Sequence, residues 1–195
     1  MSSRASILNK IKQNQPTLAA ELPSLEPLKE TTVDVLEQYK TVLKGIGGTP
    51  VEVSNWEEVV TYIKNNYDSE KRILATLPEL ASVAKLDWTK DDPHSLQSAE
   101  LIVVKAHFGV AENSALYVTE DIIGQRVATF IPQYLAIVVN KADILPKMHQ
   151  AYERIANKEY GFATFIAGPS KTADIEQSLV LGAHGARSLT VFIMG

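Results

Sequence analysis

Three short segments combine residues that could bind or transform a small molecule, and each follows a predicted β-strand. The first runs from Lys105 to Ser114 and brings a cation, His107, a flexible glycine and Glu112 into one turn. A carboxylate beside apolar strand ends could act as a general base, or as a nucleophile toward an acyl group. The alternative is structural, with Glu112 bonded to neighbouring backbone and His107 a satisfied loop residue.

The second segment, Gly168–Glu176, passes from a predicted strand into a helix predicted over Thr172–Leu181. A glycine turn followed by free N–H groups at a helix N-terminus forms an anion-binding site. Additional donors there are Ser170, Lys171 and Thr172. Because the P-loop spacing is absent and Asp174 and Glu176 would repel a second anion, a well-capped helix start is the alternative.

The third segment, Gly182–Arg187, joins the end of that helix to the last predicted strand. Its glycines allow left-handed backbone, so His184 and Arg187 could be aimed at one ligand carboxylate. Alternatively, Arg187 pairs with Asp174 or Glu176 and locks the loop. The two interpretations are compatible, because an arginine held by a carboxylate is also a pre-positioned clamp.

The predicted anion-binding set is spread over these segments and one further loop. It comprises His107, Asn113, Ser114, Arg126, Gly168, Ser170, Lys171, Thr172, His184, Gly185 and Arg187. Arg126 is the weakest member, since a single arginine is more often solvated or ion-paired. Ligands of open α/β sheets bind outside the carboxyl ends of the strands, so we predict that the segments converge on one pocket with Glu112.

The composition excludes several other chemistries. The 195-residue chain has no Cys, which removes thiolate catalysis, the usual zinc sites and a self-contained iron–sulfur cluster. The four His lack metal-binding spacing, so we predict no metal site and no intrinsic cofactor, while an organic anionic cofactor stays open. A net charge of −4 gives no general attraction for nucleic acid.

Alternating strands and helices predict an α/β fold with a Rossmann-like layered sheet. The predicted strands are Val51–Val53, Ile73–Leu77, Leu101–Val104, Ser114–Thr119, Tyr134–Val139, Phe162–Ala167 and Leu189–Met194. Leu101–Val104 is too uniformly apolar to face water, so we place it at the centre of the sheet. Helices are predicted before Gly47, after Ser54 or Asn55, and after Asn140 or Asp143.

The N-terminal region differs from the rest of the chain. Ile7, Leu8 and Ile11 have helical spacing, and a proline-containing connector follows, which predicts an arm over residues 1–30 and an α/β domain over residues 31–195. The arm is either a loosely ordered leader or a segment that docks on another subunit. No apolar stretch is long enough to span a membrane and no signal peptide is recognisable, which predicts a cytoplasmic protein.

The run from Gly168 to Leu189 closely resembles the C-terminal signature of LUD-domain proteins, specifically of the lactate utilization protein C group. Gly109–Glu112 matches the G-[IV]-A-E element of that family, and Arg126 with the following Ile-Pro matches its middle segment. The similarity extends from about residue 30 to the end of the chain.

The resemblance implies a fold like that of the sugar-phosphate isomerase and CoA-transferase superfamily. It also implies that the protein acts with two iron–sulfur partner proteins of a lactate-utilisation operon in oxidising L-lactate to pyruvate, as the member without a cluster. The family commonly has Thr-Gly where Asn113 and Ser114 stand, and often His where Leu135 stands. Both positions lie near the predicted site, so the substrate is the least transferable implication.

The leading functional prediction is therefore a cluster-free subunit of an L-lactate oxidation system that binds a small carboxylate or an anionic cofactor. A second possibility is a free-standing enzyme of the CoA-transferase or isomerase type that uses Glu112. The pair Glu112-Asn113 resembles two of the three residues around the catalytic glutamate of some CoA transferases. A third possibility is a regulator that binds organic acids without chemistry.

Overall fold

A computed structural model describes residues 2–15, 23–26, 34–156, 158–173 and 179–195. Two compact units are present, Met1–Glu30 and Thr31–Gly195. Within the described ranges, no helix combines the length and the apolar character that crossing a bilayer requires.

Helix α1 (Ser3–Gln13) belongs to the first unit and confirms the helix predicted from apolar spacing. The Ser2 hydroxyl caps its N-terminus, and two lysines in its last turn favour the negative end of the helix dipole. Ile7, Leu8 and Ile11 are each more than half exposed. The connector predicted after the arm falls largely outside the described residues.

The second unit contains four further helices and eleven strands among its described residues. The helices are α2 (Val35–Gly45), α3 (Trp56–Asn66), α4 (Glu120–Ile123) and α5 (Met148–Ile155). The strands are β1 (Thr49–Val53), β2 (Arg72–Ala75), β3 (Ala99–Lys105), β4 (Phe108–Val110), β5 (Leu116–Thr119), β6 (Tyr134–Asn140), β7 (Ile144–Leu145), β8 (Ala163–Ile166), β9 (Lys171–Ala173), β10 (Leu179–Leu181) and β11 (Ser188–Met194).

Five parallel strands form the main sheet in the order β1-β11-β6-β3-β2, which confirms the predicted α/β class. The middle strand is β6, whereas β3 lies between β6 and the edge strand β2. The prediction that Leu101–Val104 forms the centre is therefore wrong by one position. An unbroken apolar run indicates that both faces of a strand are buried, and β3 and β6 are both buried in this way.

Alternate side chains of β6 enter two different hydrophobic cores, because successive strand residues point to opposite faces. One core also contains Tyr39 and Leu43 of α2, and the other contains Val59 and Ile63 of α3. The β6 side chains in the α2 core are Leu135, Ile137 and Val139, and those in the α3 core are Ala136 and Val138. Helical or strand cover on both faces thus explains why residues 135–139, the interior of β6, are all apolar.

A second sheet of four strands has the order β7-β4-β5-β8. Strand β4 pairs parallel to β7 and antiparallel to β5, and β5 pairs antiparallel to β8. The strands predicted at Ser114–Thr119 and Phe162–Ala167 are present here, not in the main sheet. Its outer face packs Phe108 and Tyr117 near Ala151 of α5, while inward residues such as Leu116 join the α2 core.

The described ends of the helix predicted over Thr172–Leu181 are strands. Lys171–Ala173 pairs antiparallel with Leu179–Leu181, and residues 174–178 lie outside the described ranges. The pairing gives these backbone groups partners from across the hairpin, so tertiary context overrides the local helical pattern. The prediction of a helix that starts at Thr172 is therefore wrong.

Helix starts were predicted with mixed success. Asn55 caps α3, with its Oδ1 accepting from the Glu58 N–H at 3.0 Å, which confirms the predicted helix start. The Glu58 carboxylate accepts from the Ser54 N–H at 2.9 Å and not from the Asn55 N–H that a capping box requires. Neither Asn140 nor Asp143 caps α5, because their side chains hydrogen-bond to each other at 2.9 Å. Helix α5 begins at Met148, after Pro146.

Replacing Ile137 with alanine should strongly destabilise the second unit. Its side chain is fully buried on the middle strand, so removing it leaves a cavity between β6 and the α2 core. We expect Ile137→Ala to lower the free energy of unfolding by about 2–5 kcal/mol in urea denaturation. The exposed Ile7→Ala serves as control and should change it by less than about 0.5 kcal/mol; equal effects would contradict the assigned core.

Candidate functional site

A pocket of about 300 Å³ lies where two C-terminal loops meet β6 and β8, and we call it the C-terminal pocket. Five residues of the predicted anion-binding set line it, namely Gly168, Ser170, Lys171, His184 and Gly185. Its apolar walls include Phe130, Leu135 and Phe165. The structure therefore brings the second and third predicted segments together.

Backbone hydrogen bonds hold the two loops around Ser170. The Ser170 N–H donates to the Ala186 carbonyl at 2.9 Å, and the Gly182 N–H donates to the Ser170 carbonyl at 3.1 Å. The Arg187 N–H in turn donates to the Gln133 carbonyl at 2.8 Å, which ties the loop to the start of β6. The pocket is thus built on backbone pairing that side-chain substitutions leave in place.

Gly168 makes the turn from β8 toward β9 possible. Its φ of +72° lies in the left-handed region, and a Cβ at this position would lie 2.9 Å from the Ile46 Cδ1. Both the backbone angle and the contact with the residue after α2 require glycine here. The sequence segment that resembles a helix start is therefore a tight turn that leads into a strand.

Lys171 lies on strand β9 and not at the predicted helix start, so the dipole of that predicted helix does not add to its positive charge. Its side chain passes over Gly47, where a Cβ would lie 3.7 Å from the Lys171 Nζ. This position is just beyond the C-terminus of α2, whose dipole favours a cation. Among the residues that the structure describes, no carboxylate pairs with Lys171. Lys171 is one of the residues that line the C-terminal pocket, and it brings a positive charge to it. Thr172 is the next residue of β9.

Glu112 lies elsewhere, which corrects the prediction that it shares a pocket with Lys171. Its Oε2 accepts a hydrogen bond from the Met148 N–H at 2.9 Å, and its own N–H donates to the Pro146 carbonyl at 3.1 Å. The carboxylate therefore caps α5, where the positive end of the helix dipole favours it. Asn113 also makes a local bond, with its Oδ1 accepting from the Ala115 N–H at 3.1 Å.

Two predicted arginines lie outside the residues that line the C-terminal pocket. Arg126 Nε donates to Glu120 Oε2 at 2.8 Å, and its guanidinium lies over the Phe162 ring. The exposed Arg187 packs its aliphatic stem against Gly182, where a Cβ would collide with the Arg187 Cγ. Its predicted partners Asp174 and Glu176 lie outside the described residues.

His107 belongs to a second cavity of about 360 Å³, which we call the His107 pocket. Its lining residues are His107, Phe108, Tyr117, Thr119, Glu120, Asp121, Lys158, Glu159, Tyr160 and Gly161. The His107 Nε2 lies 2.6 Å from the Thr119 Oγ1, and that hydroxyl donates to the Asp121 Oδ1. Sequence analysis missed Thr119 and Asp121, because only the β4–β5 pairing brings them beside His107.

The LUD domain family profile matches residues 36–194 of the chain. The chain belongs to the LUD domain family. The lactate utilization protein C of Anoxybacillus flavithermus is 27% identical over 170 residues, covering 86% of this chain and 73% of that protein. The lactate utilization protein C of Geobacillus sp. is 24% identical over 192 residues, covering 91% of this chain and 76% of that protein.

A solved structure shares the fold. The crystal structure of a DUF162 family protein from Deinococcus radiodurans superposes with a TM-score of 0.64 at 17% sequence identity, covering 83% of this chain and 96% of that one. The family assignment and this likeness confirm the resemblance and the fold class inferred from the sequence.

Ser114 occupies a turn position whose backbone conformation favours glycine. Its φ is +55°, and its side chain is fully buried. Among the described residues, its Oγ has no hydrogen-bond partner. The turn between β4 and β5 thus requires a residue in the left-handed backbone conformation, and in this LUD domain a serine adopts that conformation with strain. The local role of Ser114 is structural, and it is absent from the lining of the C-terminal pocket.

Glycine at position 114 should therefore be more stable than alanine. Both Ser114→Gly and Ser114→Ala remove the buried hydroxyl, but only glycine adopts a positive φ without a Cβ clash. We expect Ser114→Gly to exceed Ser114→Ala by about 1 kcal/mol in free energy of unfolding, measured by urea denaturation. An alanine variant as stable as the glycine variant would show that the backbone at this turn is not left-handed.

Proposed function

We propose that this LUD domain is a component of a lactate-utilization system and that its C-terminal pocket binds a small carboxylate or an anionic cofactor. The names of the two relatives above support the role in lactate utilization. The chain spans about three quarters of the length of each relative, so the comparison concerns most of those proteins.

The arrangement of Lys171, Ser170 and His184 around one pocket carries the proposal for ligand binding. Lys171 supplies a positive charge, and the hydroxyl and imidazole supply hydrogen-bonding groups that can orient a carboxylate. The apolar side chains of Phe130 and Leu135 stand on the same pocket and offer a surface for a methyl group. A three-carbon acid such as lactate or pyruvate matches this mixture of one cation, polar groups and apolar wall.

Oxidation of lactate requires an electron acceptor, and we infer that partner proteins provide it. The chain has no Cys to hold an iron–sulfur cluster. The resemblance to the lactate utilization protein C group implies that these acceptors are iron–sulfur partner proteins. The position of Glu112 gives no support to the alternative of an acyl transferase, because its carboxylate is occupied at the N-terminus of α5.

Calorimetric titration with L-lactate, pyruvate and CoA tests the pocket. We expect one of these anions to bind the parent chain and Lys171→Met to weaken that binding about tenfold to a hundredfold, the value of a lost charged hydrogen bond. Lys64→Met, on the exposed side of α3, is the matched control and should bind like the parent. If Lys171→Met binds the anion as tightly as the parent chain, the proposal that the C-terminal pocket is the binding site is wrong.

Growth on defined carbon sources tests the metabolic role separately. A strain of the source organism that lacks this chain should fail to grow on L-lactate and should grow normally on pyruvate, because the proposed defect precedes pyruvate. The parent gene should restore growth on L-lactate. Normal growth of the deletion strain on L-lactate would contradict the role, whatever the titrations show.

A further inference from the structure

The His107 pocket contains a directed chain of hydrogen bonds. The Thr119 hydroxyl has one proton, which it donates to the Asp121 carboxylate. Because that proton is committed, the Thr119 oxygen must accept at its contact with the His107 Nε2, 2.6 Å away. The hydrogen on neutral His107 is therefore on Nε2, and Nδ1 carries a free electron pair. Asp121 and Thr119 thus select the tautomer in which Nδ1 is basic.

Burial of His107 favours the neutral form of its imidazole. Burial lowers the pKa of His107 below its usual value of 6.5, and the positive charges of Lys158, Arg154 and Lys105 act in the same direction. The negative charge of Asp121 opposes them. The hydrogen bond from Thr119 lowers the pKa of Asp121, so that carboxylate stays ionised. A neutral imidazole with a fixed tautomer is a competent general base at physiological pH.

Three carboxylates, those of Glu120, Asp121 and Glu159, and one lysine line the pocket. Glu120 is engaged by Arg126, and Asp121 by Thr119, so two of the carboxylates already have partners. Lys158 is the cation among the residues that line the pocket, and its N–H donates to the Ile155 carbonyl at the end of α5. Lys158 is therefore the residue of this lining that could offer a positive charge to a carboxylate.

Aromatic rings and one glycine shape the cavity. Tyr117 stacks on Phe108 with ring centres 5.0 Å apart, and the Tyr160 ring meets Tyr117 edge-on at 6.4 Å. Gly161 lies close to the Glu120 carboxylate of α4, which a Cβ at this position would displace. These features give a concave site with an apolar wall, a base and a cation.

We propose that the His107 pocket is a proton-transfer site for a small carboxylate that carries a carbonyl group, with Lys158 binding the carboxylate and His107 accepting a proton. The C–H bond next to the carbonyl breaks, its electron pair forms the carbon–carbon double bond of an enolate, and the proton moves to Nδ1. Return of a proton from the imidazolium restores the ketone. This step needs no oxidant. By contrast, a hydroxy acid that loses only its hydroxyl proton forms no product unless a hydride acceptor is also present.

Exchange of the pyruvate methyl protons in D₂O, followed by ¹H NMR, tests the proposal. We expect the parent chain to accelerate loss of the methyl signal over buffer, and His107→Gln to reduce the acceleration by about a hundredfold or more, the usual contribution of a general base. His94→Gln is the matched control, because His94 is exposed and lies outside both pockets. It should exchange like the parent.

Substitutions of the residues around His107 should change the exchange kinetics in different ways. The exchange rate should rise with pH as His107 loses its proton and level off above its pKa. Asp121→Asn removes the charge that raises this pKa, so the inflection should move to lower pH. Lys158→Met should raise the KM for pyruvate more than it lowers kcat, because its role is to bind the carboxylate, and Lys64→Met should leave both unchanged.

Two results would overturn the proposal. One is exchange by the parent no faster than in buffer, or exchange that His107→Gln leaves unaltered in a variant with a native circular dichroism spectrum. The other needs no variant: ¹⁵N NMR of the parent at pH 8 should show His107 protonated on Nε2, and protonation on Nδ1 would remove the base. Neither result bears on ligand binding at the C-terminal pocket, which the titrations measure separately.

Discussion

Burial of both faces of the parallel sheet is the constraint on which the rest of this structure depends. Strand β6 lies in the middle and sends alternate side chains into two cores, so its buried residues 135–139 are all apolar. Helix α3 covers one face. Helix α2 and the inner side of the second sheet cover the other. This double cover leaves the polar residues to the loops at the strand ends, where both pockets form.

The two pockets differ in how they are built and in what they offer a ligand. The C-terminal pocket depends on backbone pairing between two loops, which places Lys171 beyond the C-terminus of α2. The His107 pocket depends on the pairing of β4 with β5 and on a chain of side-chain hydrogen bonds. Phe165 lines the first and packs against Tyr117 of the second, so strand β8 lies beside both pockets.

Glu112 shows how a side chain with catalytic potential becomes structural. It follows β4 of the second sheet, and the start of α5 is adjacent in space. Backbone N–H groups at a helix start lack partners within the helix, and a carboxylate satisfies them while favouring the dipole. The same residue type in the same short motif therefore serves as a cap here. Motif similarity alone could not distinguish the two roles.

The sequence by itself determined the fold class, most strands, the capping of α3 by Asn55 and the family, because hydrophobic periodicity, capping boxes and a long signature are local properties. It also singled out the loops at Gly168–Lys171 and His184–Gly185. Tertiary structure decided that β6 occupies the middle of the sheet, that Lys171 lies on a strand, and that Glu112 and His107 lie outside the C-terminal pocket. Those outcomes follow from strand order and from pairing between segments distant in sequence, which local patterns do not encode.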